Sequence, residues 1–352
     1  MSRFFSARYA ALEPYVPGEQ PRNMERLIKL NTNELPFPPS PRAMEALRER
    51  TRPLNLYSDP EQKQLRQKLA ERFDVRAENV LVSNGSDEAL NLAFMAFADE
   101  KRPLYFPDIT YGFYPVFAAL NHIPYTELPL TEELAVDPAD YMACPGTIVL
   151  ANPNAPTGKI LPVETIAALT EANPNRVVIV DEAYIDFGGD SCVPLTKQYD
   201  NLLVVQTFSK SRGLAGARLG FAIGAEALMA DLETLRNSIN PYNVNSATAA
   251  AGIGALEDED YTRRCCRTVA RTRQRVTEAL RQMGFEVTDS MTNFVFARTP
   301  AMAGGELYAR LKERGVLVRH FDKQRITDYL RITIGTEEQM DRALEIIKEI
   351  VS

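Results

Sequence analysis

The chain has 352 residues, 45% of them hydrophobic and 25% charged, a globular composition that leaves no case for wholesale disorder and is too long for one ordinary core. A formal net charge of −7 argues against nucleic acid or an anionic membrane surface as the main partner. Four cysteines without metal-site spacing and only two histidines argue against a disulfide framework or a histidine-rich centre, so no metal is expected.

The opening stretch MSRFFSARYAALEPYVPGEQ carries neither an apolar signal core nor a small-residue cleavage pattern. No apolar run approaches the roughly 20 residues of a membrane span, and a cytoplasmic protein is expected. Residues 1–43, rich in Pro, Asn and Arg, read as an arm that leans on the small domain or on a second subunit. From Asp59-Pro60 a helix is expected, with Leu65, Leu69 and Phe73 at i, i+4 and i+8. Apolar runs and helical stretches then alternate. VLVS precedes a helix with Leu90, Phe94 and Phe97 on one face, PLYF precedes the loop PDITYGFYPVFAAL, and TIVLA leads into ANPNAPTGK and a helix from Pro162. RVVIVDEAY and LLVVQTFSK close the series. Continuous Val/Ile/Leu runs indicate strands buried on both faces, hence an α/β fold whose large domain, residues 44–256, has a mostly parallel sheet sandwiched by helices. After about residue 256 the order becomes strand-strand-helix-strand-strand-helix, which predicts a smaller α+β C-terminal domain over 257–352 with antiparallel pairing.

Such sheets bind ligands at the carboxyl ends of their strands. The polar punctuation gathers there: Ser86-Asp87, Asn152 to Gly158, Asp181 to Tyr184, and Ser209-Lys210. In TFSKSRGLAGARLG, Lys210 is a candidate nucleophile, while Ser209 and Arg218 offer a hydroxyl and a guanidinium fork to a phosphate. Ser86 or Asp87, opening a helix, provides free N–H groups for an anion or merely caps that helix. Gly158-Lys159 hints at a nucleotide loop, but the upstream glycine of that motif is missing.

In this order, SNGSDEAL, NPNAPTG, VIVDEAY, TFSKSRGLAGARLG and YLRITIG resemble the fold-type I pyridoxal-phosphate aminotransferases, and within them the members that act on histidinol phosphate. The likeness runs from EPYVPG to LRITIGT. It implies pyridoxal 5'-phosphate as cofactor, with Lys210, Asp181 and Tyr184 as catalytic residues. Lys210 would form the Schiff base and then move the substrate's α-proton. Asp181 would pair with the pyridine nitrogen, its carboxyl lowered in pKa by that cation. Tyr184 would donate to the ring's phenolic oxygen and Tyr111 would stack on the ring. Ser209, Arg218, Ser86 and Asp87 would hold the phosphate, joined by Tyr57 of a neighbouring subunit in a homodimer.

For substrate, the resemblance implies histidinol phosphate and glutamate/2-oxoglutarate, exchanged by a ping-pong mechanism, with Arg331 clamping phosphate or carboxylate and Arg319 and Tyr15 at the phosphate end. Relatives commonly have Asn directly before Pro-Thr-Gly to bond the phenolic oxygen; this chain has Ala155, so either Asn154 is its substitute, the favoured reading, or Tyr184 holds that oxygen with less help. Rival readings are an aromatic-amino-acid aminotransferase, a threonine-phosphate decarboxylase and a non-catalytic cofactor-binding regulator.

Overall fold

The computed structural model describes residues 2–20, 27–51 and 54–352; residues 1 and 21–26 of the expected arm lie outside them. A two-residue strand β1 (Ile28–Lys29) and the helices α1 (Pro41–Arg50) and α2 (Lys63–Phe73) come first. The second helix starts at Lys63 rather than at Asp59, because Gln62 before it adopts a left-handed conformation with φ of 49°.

One sheet then takes up β2 (Val80–Ser83), β3 (Leu104–Pro107), β4 (Tyr125–Leu128), β5 (Thr147–Ala151), β6 (Val178–Asp181), β7 (Leu202–Thr207) and β8 (Gly220–Gly224). Interleaved are α3 (Ser86–Phe97), α4 (Tyr114–Leu120) and α5 (Val163–Ala172); α6 (Glu226–Ile239) and α7 (Ser246–Leu256) follow. The strands lie side by side in the order β2-β8-β7-β6-β5-β3-β4. Burial alternates along them, as period-two geometry requires. Val80, Val82, Ile148, Leu150, Val178 and Val180 enter one core, whereas Leu81, Val149, Ile179, Leu203 and Val205 enter the core on the opposite face. This two-sided burial explains the unbroken apolar runs. Leu90, Phe94 and Phe97 of α3 are all buried in the second core.

The long helix α8 (Glu259–Gln282) leads to β9 (Glu286–Val287), β10 (Phe294–Arg298), α9 (Gly304–Glu313), β11 (Val316–Leu317), β12 (Arg319–His320), β13 (Leu330–Thr333) and α10 (Glu337–Val351). A second, antiparallel sheet has the order β12-β13-β10-β9. One strand escapes the antiparallel pattern: β11 pairs with β1 in parallel, Ile28 beside Val316. The segment before α1 is thereby stitched to the C-terminal core, where Leu30 is buried with Val316, Ile332 and Ile334. Among the described residues no helix is long and apolar enough to cross a membrane.

Candidate active site

Parallel pairing brings the carboxyl ends of β3, β5, β6 and β7 to one edge of the large sheet. Since β8 runs antiparallel to both β2 and β7, the end of β2 and the entry to β8 reach that same edge. A cavity there is lined by Ser86, Asp87, Tyr111, Asp181, Ser209 and Lys210 together with Tyr184 and Arg218.

One end of this cavity suits a phosphate. Gly85, at φ of 78°, turns the chain from β2 into α3, and a Cβ there would lie 2.7 Å from Arg218 Nη2. A Cβ on Gly220 would lie 2.3 Å from the Ser86 amide nitrogen. Only glycine allows these two approaches, which bring the guanidinium and the first amides of α3 together. Arg218 Nη2 donates to Asp87 Oδ2 at 3.0 Å. Ser209 Oγ is buried and, among the described residues, has no hydrogen-bond partner. A buried hydroxyl without a partner beside a guanidinium and a helix N-terminus fits an anion that accepts from all three.

The other end holds Asp181. Tyr114 Oη donates to its Oδ2 at 3.0 Å and the Ala183 amide to its Oδ1 at 3.2 Å. Burial outweighs these bonds and pushes its carboxyl up to about 6. The lowered pKa expected of Asp181 assumes a paired ring cation; within the chain alone desolvation dominates. The same desolvation makes Asp181 a suitable partner for a cationic ring nitrogen, which would restore the lost charge stabilisation. Tyr111 Oη donates to Asp87 Oδ1 at 2.9 Å, which fixes its ring at the cavity wall.

A second cavity, of about 290 Å³, opens beside the first and shares Tyr111, Ala155, Tyr184 and Lys210 with it. Its far wall carries Tyr15, Arg319 and Arg331. The two arginines sit opposite each other on β12 and β13. Arg331 Nη2 donates to Asn31 O at 3.1 Å, its Nε has no partner among the described residues, and burial lowers its pKa. Arg319 Nη2 reaches Val16 O at 3.3 Å, and Tyr15 stacks on Phe113 at 4.3 Å. Two adjacent guanidiniums, one largely desolvated, are suited to an anion. Lys210 Nζ lies between the cavities, 3.4 Å from Thr32 O.

Tyr57, expected at a neighbouring subunit's site, is 84% exposed, stacked on Tyr242 at 4.5 Å, and lines neither cavity of its own chain. Asn154 does not line the first cavity: its Nδ2 donates to Ile109 O and Thr157 Oγ1, and its Oδ1 accepts from Thr110 Oγ1. All its polar atoms are committed to holding the loop, so the expected substitution of Asn154 for the missing Asn is corrected. Gly158, at φ of 77°, packs that loop on Ser290 and accepts at its carbonyl from the Met291 amide at 2.8 Å. The glycine of Gly158-Lys159 therefore serves a close backbone approach and not a nucleotide. Sequence reasoning passed over Tyr114 and the trio Asn31, Thr32 and Asn33; the polar NTNE directly after an apolar LIKL was their available signal.

A lysine at a strand end, a buried carboxylate and a cradle suited to a phosphate are groups that a pyridoxal-phosphate enzyme needs around its cofactor. The family model "Aminotransferase class I and II" matches residues 25–347. Histidinol-phosphate aminotransferase 1 of Bradyrhizobium diazoefficiens is 49% identical over 351 residues, covering 100% of both chains. The histidinol-phosphate aminotransferase of Chromohalobacter salexigens is 49% identical, with 99% of each chain covered. Among solved structures, the histidinol-phosphate aminotransferase of Sinorhizobium meliloti in complex with pyridoxal-5'-phosphate superposes with a TM-score of 0.89, covering 99% of both chains at 24% identity, a likeness of fold. The chain belongs to the class I and II aminotransferase family; it is an aminotransferase, and pyridoxal phosphate is its cofactor.

Proposed function

We propose that the chain transfers the amino group of histidinol phosphate to 2-oxoglutarate, giving imidazole acetol phosphate and glutamate, as a cytoplasmic homodimer. The observation that carries this reading is the pair Arg319 and Arg331, register partners that line the second cavity together with Lys210. Both half-reactions need an anion subsite, for a phosphate in one and a dicarboxylate in the other, and a guanidinium fork accepts either. The names of the relatives at 49% identity support histidinol phosphate as the phosphate-bearing substrate.

Bound pyridoxal phosphate supplies the carbonyl that takes up the amino group and the ring that accepts the electron pair left by proton removal. Ser209, Arg218 and the amides of Ser86 and Asp87 are suited to hold its phosphate, Asp181 its ring nitrogen, Tyr184 its phenolic oxygen and Tyr111 its ring face. Lys210, the residue of covalent attachment in this reading, is also the base: its Nζ lines both cavities and can take the α-proton and return it. Arg331, with Arg319 and Tyr15, orients the substrate so that this proton faces Lys210. Tyr57, exposed and remote from its own chain's cavity, would complete the phosphate site of a second copy, where Arg218 stays half exposed. We place the division between the large and small domains near residue 256, with the arm ending near 43.

Turnover of histidinol phosphate, phenylalanine and threonine phosphate tests the substrate assignment. Histidinol phosphate should have the highest kcat/KM by at least about 10²-fold, on the order of a paired charge. Fast phenylalanine turnover with negligible histidinol-phosphate turnover would overturn it. A dimer assignment fails if the active protein sediments as a monomer.

A further inference from the structure

Three consecutive residues touch three different members of the site. Asn31 O accepts from Arg331 Nη2 at 3.1 Å, Thr32 O from Lys210 Nζ at 3.4 Å, and Asn33 Nδ2 donates to Tyr184 Oη at 2.8 Å. The last contact bears on the question left by Ala155, a residue that lines the cofactor cavity with a methyl group and no donor.

We propose that Asn33 is a positioning residue that aims the Tyr184 hydroxyl at the cofactor's phenolic oxygen, in place of the direct amide contact that Ala155 cannot make. The proposal rests on the pyridoxal-phosphate assignment. Asn33 is 1% exposed and adopts a left-handed backbone with φ of 57°, a conformation asparagine tolerates and most residues do not. Its amide packs against Thr333. The Thr333 hydroxyl accepts from the Asn33 backbone N–H at 3.0 Å and donates to Asn33 Oδ1 at 2.9 Å. With Oδ1 accepting from Thr333, Nδ2 is turned to Tyr184. The Asn33 carbonyl accepts from Asn293 Nδ2 at 2.9 Å, which anchors the residue to the strand β10 region as well.

Because Tyr184 Oη accepts from Asn33, its own proton is free to point elsewhere. Among the described hydrogen bonds that proton has no acceptor, and the phenol lines both cavities beside Lys210, whose Nζ lies 5.6 Å from the ring centre. A phenol held at its oxygen and open at its proton is a directed donor. Asn33 and Thr333 tie this donor to β13, two residues from Arg331. The segment thus links the cofactor's phenolic oxygen to the substrate's anion subsite through the backbone.

The test is a double-mutant cycle read on the bound chromophore. Asn33→Gly deletes the amide while suiting the positive φ; Asn33→Asp keeps the contact to Thr333 but replaces the donor facing Tyr184 with an acceptor. A donor to the phenolic oxygen stabilises the deprotonated chromophore. Both variants should therefore raise the pH at which the visible band of the holoenzyme shifts, by about 0.5–1 unit, the equivalent of one hydrogen bond. In a Tyr184→Phe background the same substitutions should move that pH by less than about 0.2 unit, since the coupling runs through the phenol. Equal shifts in both backgrounds, or none in the Tyr184 background, would overturn the proposal. If either variant does not fold, the other carries the cycle, and thermal unfolding of each separates loss of stability from the spectral effect. Wild-type protein that takes up no pyridoxal phosphate would overturn the cofactor assignment itself, and the proposal with it.

Discussion

The two cavities of this site are built in different ways. The cofactor cavity stands on the carboxyl ends of paired strands, and its residues follow their strands by only a few positions: Asp181 ends β6, and Ser209 and Lys210 follow β7 directly. The substrate cavity is assembled across the chain. Arg331 reaches Asn31 over 300 positions, and Asn33 reaches Thr333 over the same span. The first is as rigid as the sheet beneath it, whose strands are buried on both faces. The second depends on the β1–β11 pairing and on an arm that meets the small sheet. In the proposed function, chemistry falls on the stiff element and substrate selection on the element joined by long-range contacts, so lesions on the two sides should differ in kind.

The largest effect is expected from Lys210→Ala. Activity should fall by at least about 10³-fold, because both the covalent attachment and the base are lost, and the borohydride-trapped adduct should disappear from the mass spectrum. Retention of the adduct would move the reactive lysine elsewhere. Asp181→Asn should cost about 10²–10³-fold in kcat while the protein folds normally.

Asp181→Asn also changes the pH dependence of stability in protein stripped of cofactor. The carboxyl is raised from an ordinary 3.8 to about 6 by burial. Between those values the folded protein holds a proton that the unfolded chain has released. The stability from this group is thus full below about pH 4 and is lost as pH rises through 6, by on the order of 1–3 kcal/mol. The Asn variant should remove that part of the slope in melts across pH 4–8. Glu182, pushed up to about 7 by burial, should leave a residual decline in the same direction.

On the substrate side, Arg331→Lys should lower kcat/KM for the phosphorylated substrate about 10–10²-fold while leaving the cofactor's absorbance unchanged. A changed spectrum would show that the two cavities are not separable at Arg331. The smallest effect is expected from Ser209→Ala: pyridoxal-phosphate affinity should weaken about 10-fold, measured by equilibrium titration, with kcat near wild type at saturating cofactor.

The cofactor side was legible because its signals are local. Apolar runs closed by Ser86-Asp87, Asp181 and Ser209-Lys210 mark strand ends, and parallel pairing forces those ends together whatever the details of packing. Ser209 and Lys210 are one turn from β7, so their place in the cavity follows from the strand. Tyr114 escaped because its hydroxyl reaches Asp181 across 67 positions, a contact that no spacing encodes. Asn154 was misjudged for a related reason: adjacency to Ala155 in the chain says nothing about which side chains the loop consumes, and Thr110, Ile109 and Thr157 consume all of Asn154.

What the chain's order of residues determined by itself was the α/β class and the edge of the sheet on which Lys210, Asp181, Ser209 and the start of α3 gather, since these depend on contacts within a strand and the turn after it. What only the tertiary structure decided was the partner of Tyr184. Asn33 arrives there through a parallel pairing of β1 with β11 and a hydroxyl 300 residues away, contacts whose free energy belongs to the assembled fold and leaves no local period in the sequence.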